Sequence, residues 1–302
     1  MYTEEDERIR KTYILSDDEH EKVLGRIVED AFDGKRPVDH PHLKFILSQT
    51  GGGKSGLTAS FLRKDDNYVI IDSDKYKSFR DDAEEIASKH PTKYGFMTWF
   101  DCYKHRDEVF AKALAEGYNI LIEIAPSMPK GVFFDISNLP EGYEVDFELL
   151  AVSPLNSLLS TRERFELQIS QGLSTPKLTD IPRHEDSFEA LSAILLNPAY
   201  SHANKRIFIR AATVGDDPVC VYPMADTTDQ DAVSVLLTYQ GEDTLLTLGN
   251  FGSRHQLLRD QMDARQAPTE QYASLDEINA RFEKIKSGSG TERKLGSYEC
   301  NK

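Results

Sequence analysis

The chain has 302 residues, enough for one large domain or a domain with an appendix. Hydrophobic residues make up 39% and charged residues 29%, the balance of a soluble globular protein. Lys and Arg number 36 against 51 Asp and Glu, a net charge of −15; this argues against a general binder of nucleic acid or of an anionic membrane, and leaves room for phosphorylated small molecules at a local positive site.

No run approaches the roughly 18–20 apolar residues of a bilayer span, and the charged start "MYTEEDERIRKTYILSDDEHEK" has no apolar signal-peptide core. Cys102, Cys220 and Cys300 are scattered, without metal-ligand spacing, as in a reducing compartment. The expected site of action is the cytoplasm, and delivery as an exported effector is compatible with the same features.

In chain order, Ser16 is a good N-cap for a helix in which Val23, Leu24, Ile27, Val28 and Phe32 recur at helical spacing. "DGKRPVDHP" breaks it. "LKFIL" predicts a buried strand running into "SQTGGGKS", and "GLTASFL" begins the next helix. "NYVIID" predicts a second strand ending at Asp72 and Asp74. Asp101 to Glu116 predicts a helix stopped by Gly117, "YNILIEI" a third strand and "YEVDFELLAV" a fourth. A helical region from about Pro154 is interrupted by "GLSTPKLTDIPRHED". "KRIFIRAA" and "PVCVYP" predict two more strands. Apolar strands separated by helices predict an α/β fold, a mostly parallel sheet with helices on both faces. After about Ala225 the pattern weakens: "SVLLTYQ" and "DTLLTLG" read as strand or helix, "SLDEINARFEKIK" as an amphipathic helix capped by Ser274, and "SGSGTERKLGSYECNK" as a flexible tail. This divides the chain into a domain over 1–224 and a C-terminal extension over 225–302.

The glycine-rich stretch carries the chemistry. The phosphate-loop pattern G-x-x-x-x-G-K-[ST] is met at Gly53, Lys54 and Ser55, with Ser48 in place of the first glycine. Backbone N–H groups of such a turn wrap a phosphate chain, and the following helix adds its positive N-terminal end. Lys54 would reach the β and γ phosphates, and the Ser55 hydroxyl would ligate Mg²⁺. The plain alternative is a glycine-rich β–α turn with a surface lysine.

Asp72 and Asp74 end the second strand, where a doubly wound sheet opens its ligand crevice. Either carboxylate could take the proton of a hydroxyl attacking the γ phosphate; the rival reading is helix capping by Asp72, Ser73 or Asp74. Glu123, ending the third strand, could bind substrate hydroxyls or organise Mg²⁺ through water, or be an exposed strand-end acid. Arg162, Glu163 and Arg164 lie on a helix, as an arginine donor to the transferring phosphoryl or as an ordinary charged face. Trp99 and Phe100 read as packing residues.

Taken together, "YILSDDEHEKVLGRIVEDAFDGKRPVDHP", "FILSQTGGGKSG", "VIIDSDKYK", "ALAEGYNILIE" and "LLSTRERFELQ" resemble the zeta-toxin family of P-loop kinases over about Tyr13 to Pro223. The resemblance implies transfer of phosphoryl from ATP, with Mg²⁺, to a sugar hydroxyl of UDP-N-acetylglucosamine, and a separate small antitoxin that covers the nucleotide site. By position it implies Lys54 and Ser55 as the Walker A pair, with ATP on Thr50, Gly51, Gly52, Gly53, Lys54, Ser55 and Arg164. It implies Asp74 as catalytic base, Asp107 and Glu123 as acceptor contacts, and Ser55 as metal ligand. Departures fall mainly on the acceptor half. Glu123 is followed by Ile124 and Ala125 instead of Gly-Thr, "FRDD" stands where the family has His-Pro, and Thr179 stands where a second arginine is expected, with Lys177 or Arg183 as stand-ins. The alternatives are a kinase for another acceptor, such as NAD, and a degenerate nucleotide-binding protein.

Overall fold

The computed structural model describes residues 3–90, 93–126, 132, 134, 136, 138–173, 176–210, 216–223, 229–240 and 248–287. A short helix, α1 (Glu4–Lys11), precedes the expected α2 (Asp17–Phe32). Ser16 closes a capping box on α2: Glu19 N–H donates to its hydroxyl at 3.5 Å and its own N–H donates to Glu19 at 3.0 Å. Val23 and Ile27 then enter the core, with Leu24, Val28 and Phe32 packed against it.

Next come β1 (His42–Leu47), α3 (Lys54–Leu62), β2 (Val69–Ile71), the one-turn α4 (Ser73–Tyr76), α5 (Ala83–Lys89), α6 (Tyr94–Ala115), β3 (Ile120–Ile124) and β4 (Glu144–Ala151). They are followed by α7 (Pro154–Ser170), α8 (Ile181–Leu196), β5 (Asn204–Ile209), β6 (Val219–Tyr222), α9 (Asp229–Gln240), α10 (Phe251–Ala264) and α11 (Thr269–Lys286). The described strands form one sheet in the order β2-β3-β1-β4-β5-β6, parallel except for β6. It is the mixed α/β, mostly parallel sheet that the strand–helix alternation predicts.

Alternation along the strands divides the core. Leu43, Phe45 and Leu47 of β1 face one way, into the main cluster with Val23, Ile27, Val109, Leu191 and Leu236, so α2, α6, α8 and α9 share that face. Ile46 faces α3 with Leu57, Leu121, Leu150 and Phe208. On the α3 side Lys44 is buried yet paired: it donates to Asp146 and Glu148, both at 2.9 Å, and sits 4.9 Å from the Phe61 ring centre. Burial alone would push its pKa down, but Glu148 and Asp146 more than reverse that.

Several expectations change. The helix expected over Asp101–Glu116 begins at Tyr94, because the aromatic turn before Asp101 is also helical. Trp99 and Phe100 in that turn stay 37% and 42% exposed; Trp99 packs on Phe100 and Tyr103, with Arg10 over its ring. Ser274 is not the cap of the last helix. α11 starts after Pro268, and the Ser274 hydroxyl accepts instead from Arg162 at 2.6 Å. "SVLLTYQ" lies in the helix α9, whose Ala232 and Leu236 join the main core. Most of "DTLLTLG" and the tail from residue 288 lie outside the described residues.

The last two helices form a second core with α7. Leu155, Leu158 and Leu159 meet Phe251, Leu258, Met262, Leu275 and Ile278, and Phe251 stacks on Phe282 at 4.3 Å between centres. Each such buried side chain contributes about 1.5–3 kcal/mol. Arg254 adds a bidentate pair to Glu163 at 2.7 and 2.6 Å, and Arg265 one to Glu166 at 2.8 and 2.6 Å.

Candidate active site

β1 pairs with β3 on one side and β4 on the other, so the chain order reverses at its carboxyl end and a crevice opens there. The glycine loop leaves β1 at this point. Ser48 is fully buried and donates to Leu150 O at 2.7 Å; Gln49, also buried, donates to Val152 O at 2.7 Å and Ser157 Oγ at 3.1 Å. Both residues anchor the base of the loop to β4 and α7. Gly51 and Gly53 have φ of +79° and +98°, which side chains rarely adopt. A Cβ on Gly51 would stand 2.1 Å from Ser157 O, and one on Gly52 would stand 2.0 Å from the Ser48 hydroxyl. Ser48 therefore occupies the space under the loop, and the glycines are dictated by what they touch.

Lys54 opens α3 and folds back over the loop, donating to Ser48 O at 3.0 Å and Gln49 O at 3.3 Å. The residue as a whole is half-buried, but its ammonium is the enclosed end. Burial pushes its pKa down to about 8, Glu123 opposes the shift and Arg164 adds to it. The next side chain, Ser55, donates to Glu123 Oε2 at 3.1 Å.

Asp72 and Asp74 have separate roles. Asp72 caps α4, its Oδ1 accepting from the N–H of Asp74 at 2.9 Å and of Lys75 at 3.1 Å. Asp74 is free of that duty, and its carboxylate is held by Lys77 on one oxygen and Lys177 on the other. Burial would raise its pKa, but Lys177 and Lys77 outweigh burial and hold the carboxyl well below the usual carboxylate range. Arg164 donates to Thr179 Oγ1 at 3.2 Å. Burial lowers its pKa, and the nearby Asp74 partly restores it.

Successive residues on a helix point about 100° apart, which separates the charged run of α7. Arg162 is buried, donating to Thr179 O and Ser274 at 2.6 Å each; Glu163 takes Arg254; Arg164 turns to the crevice. Lys54, Ser55, Asp74, Glu123 and Arg164 are thus brought together. Asp107 stands on the exposed flank of α6 and, among the described residues, is bonded by its neighbour Arg106 at 2.8 and 2.6 Å. Arg183 is exposed on α8. Lys177, not Arg183, reaches Asp74.

Two cations here were not foreseen as site residues. Lys77 lies three residues after Asp74, the spacing of a helical ion pair. Arg210 follows β5 at the crevice edge and donates to the loop carbonyls of Gly51 and Gly52. A cavity of about 490 Å³ lined by His42, Lys44, Tyr68, Asp146 and Arg206 lies near the amino ends of β1, β4 and β5, at the edge away from the loop. Among the described residues no cluster of three metal-ligating side chains occurs, and no helix is long and apolar enough to cross a membrane.

A strand–glycine loop–helix unit at the switch point of a mostly parallel sheet, with Lys-Ser at the helix start, defines a P-loop kinase-like fold. Comparison with known proteins narrows the class. The family model for zeta toxins matches residues 27–225, and the chain belongs to that family. It is 26% identical to toxin zeta of Streptococcus pyogenes over 181 residues, 57% of this chain and 60% of that protein. It is also 26% identical to toxin PezT of Streptococcus pneumoniae over 229 residues, 72% of this chain and 85% of that one. The chain spans about 60% of the length of the first of these relatives. A solved structure of the PezAT toxin–antitoxin system of Streptococcus pneumoniae shares the fold, with a TM-score of 0.62 at 23% identity, covering 82% of this chain and 98% of that one.

Proposed function

We propose that the protein is an ATP-dependent phosphotransferase of zeta-toxin type that phosphorylates a hydroxyl of a nucleotide-linked acceptor, a UDP-sugar such as UDP-N-acetylglucosamine in the first instance. The observation that carries this reading is the placement of Asp74: its carboxylate, free of capping duty, stands beside Lys177, Lys77 and Arg164, in the same crevice as the glycine loop. A glycine turn without chemistry would need no such constellation.

ATP would lie with its phosphates on Thr50, Gly51, Gly52, Gly53, Lys54 and Ser55. Lys54 is the cation that follows the β and γ phosphates, exchanging its two loop carbonyls for phosphate oxygens. The Ser55 hydroxyl and the Glu123 carboxylate, 3.1 Å apart, are hard oxygen donors of the kind Mg²⁺ takes, and these two residues would hold the ion. That ion, when bound, neutralises charge on the β and γ phosphates. Asp74 orients the acceptor hydroxyl and takes its proton as the new O–P bond forms and the bond to the ADP oxygen breaks. Arg164 and Lys177 stabilise charge on the transferring group. A small antitoxin covering the nucleotide crevice, and a cytoplasmic place of action, belong to the same proposal.

A second acceptor class is kept on one observation. Asp107 bonds Arg106, and Ala125 after β3 offers no hydroxyl, so two acceptor contacts implied by the family are altered. A dinucleotide such as NAD is the alternative. The test is incubation with Mg-ATP and a panel of UDP-sugars and dinucleotides, read by mass spectrometry for an added phosphoryl group, with Lys54→Ala as control. A Lys54-dependent product identifies the acceptor by its mass. Nucleotide binding without any product from the panel or from a metabolite extract would overturn the kinase reading and leave a degenerate nucleotide-binding protein.

A further inference from the structure

We infer that Arg210 is a positioning residue of the phosphate loop, holding two of its carbonyls outward so that the loop is set for phosphate before nucleotide arrives. The inference rests on the nucleotide-binding part of the proposed function.

The geometry is specific. Arg210 Nη2 donates to Gly51 O at 2.8 Å and Gly52 O at 2.9 Å, and Nε donates to Gly52 O at 3.1 Å. One rigid guanidinium fork therefore fixes two consecutive peptide planes. A trans peptide carries its C=O and N–H on opposite edges. Pinning Gly52 O toward Arg210 turns the Gly53 N–H to the other side. Gly52 N–H is already committed to Gln49 O at 3.0 Å, so the peptide that Arg210 leaves available for phosphate is the one between Gly52 and Gly53.

The other side of the loop is walled. Gly51 lies so close to α7 that a Cβ there would meet Ser157 O at 2.1 Å and Thr161 Cγ2 at 2.8 Å. The loop is thus held between the backbone of α7 and the guanidinium of Arg210. Glycines are the residues most able to leave this conformation, and three in a row with no outer restraint would spend much of their time elsewhere. Arg210 is the described side chain that bonds their outward carbonyls. Its place is also apt: it follows β5, the strand beyond β4, at the carboxyl edge of the sheet.

A residue that orders the loop should affect ligands in proportion to what the loop holds. The experiment measures the affinities of ATP, ADP and AMP for the full chain and for Arg210→Met and Arg210→Lys, by calorimetry or competition against a fluorescent ATP analogue. Thermal melting is recorded alongside. The expected result for Arg210→Met is a loss of about tenfold for ATP and ADP, with AMP changed by less than about twofold. Arg210→Lys, which keeps the charge but cannot fork across both carbonyls, should fall between. Equal losses for all three nucleotides, or none, would overturn the inference whatever the melting temperature does. Failure of the unaltered protein to bind ATP would instead remove the nucleotide reading itself, and this one with it; the two failures appear in different arms. If Arg210→Met does not fold, the ratio of ADP to AMP affinity in Arg210→Lys decides the matter: an unchanged ratio refutes the role.

Discussion

Raising the pH should weaken ATP binding through one residue, Lys54. Its ammonium is enclosed by the loop, where burial pushes the pKa down to about 8; Glu123 resists the shift and Arg164 deepens it. The lysine of the nucleotide-free protein therefore loses its proton in an accessible range. Phosphates placed against it restore the charge, so binding above this range takes up a proton. The sign follows: affinity is close to its full value at pH 7 and declines as pH rises through 8. With a pKa near 8 the charged fraction is about nine-tenths at pH 7 and about 3% at pH 9.5, so ATP affinity should fall about thirtyfold over that interval. Titration of a fluorescent ATP analogue at half-unit steps measures the decline. Calorimetry in two buffers of different ionisation enthalpy counts the proton, which should approach one near pH 9. Lys54→Arg is the control, since guanidinium does not titrate here and its affinity, though weaker, should stay level. A level curve for the unaltered protein, or an equal slope in Lys54→Arg, would refute the reasoning.

Three further outcomes are expected. Asp74→Asn should lower phosphoryl transfer by about 10²–10⁴-fold while ATP affinity stays within about twofold, checked by product formation and calorimetry on the same preparation. Gly51→Ala should abolish ATP binding: at φ +79° a side chain costs about 1–2 kcal/mol even in open space, and here it meets Ser157 O at 2.1 Å. A Gly51→Ala protein that binds ATP normally would mean the loop sits elsewhere. Lys177→Met removes one of the two cations that hold the Asp74 carboxyl low, so its pKa should rise toward the ordinary carboxylate range. A base must be ionised to act, so the acid limb of the pH–rate profile should move to higher pH in Lys177→Met, beyond any change in rate.

The strands were legible because each contains a short apolar run or alternation, and because the glycine loop and Asp72-Ser73-Asp74 follow the first two directly. The helix α2 was legible from Ser16 and its periodic core positions. What stayed hidden depends on contacts distant in sequence. Ser274 has the chemistry of a cap, yet its hydroxyl is taken by Arg162, 112 residues earlier, and the helix begins sooner. Lys177 meets Asp74 across 103 residues and Arg210 meets Gly51 across 159. No local pattern records such pairs. From the residues alone the choice between Asp72 and Asp74 was likewise open, since an Asp at either position can cap a helix; the family resemblance favoured Asp74, and the hydrogen bonds to Asp72 divide the roles.

The departures from the family pattern differ in physical kind, and this bears on whether the site works. At Ser48 a glycine is replaced by a residue whose hydroxyl finds Leu150 O and whose side chain lies beneath Gly52, so the substitution is absorbed by the loop's own architecture. At Thr179 an arginine is replaced by a hydroxyl that accepts from Arg164, while a cation returns to the crevice from Lys177, two residues earlier. A degenerate site would have no need to replace the lost charge. At Ala125 the family's hydroxyl is replaced by a methyl group, and Asp107 is bonded to Arg106. Among the described residues, compensation is thus found where phosphate would be held and not where the acceptor would be read. That asymmetry is what a retained phosphotransfer centre with a changed acceptor predicts, and it is why the acceptor panel carries a dinucleotide arm beside the UDP-sugars.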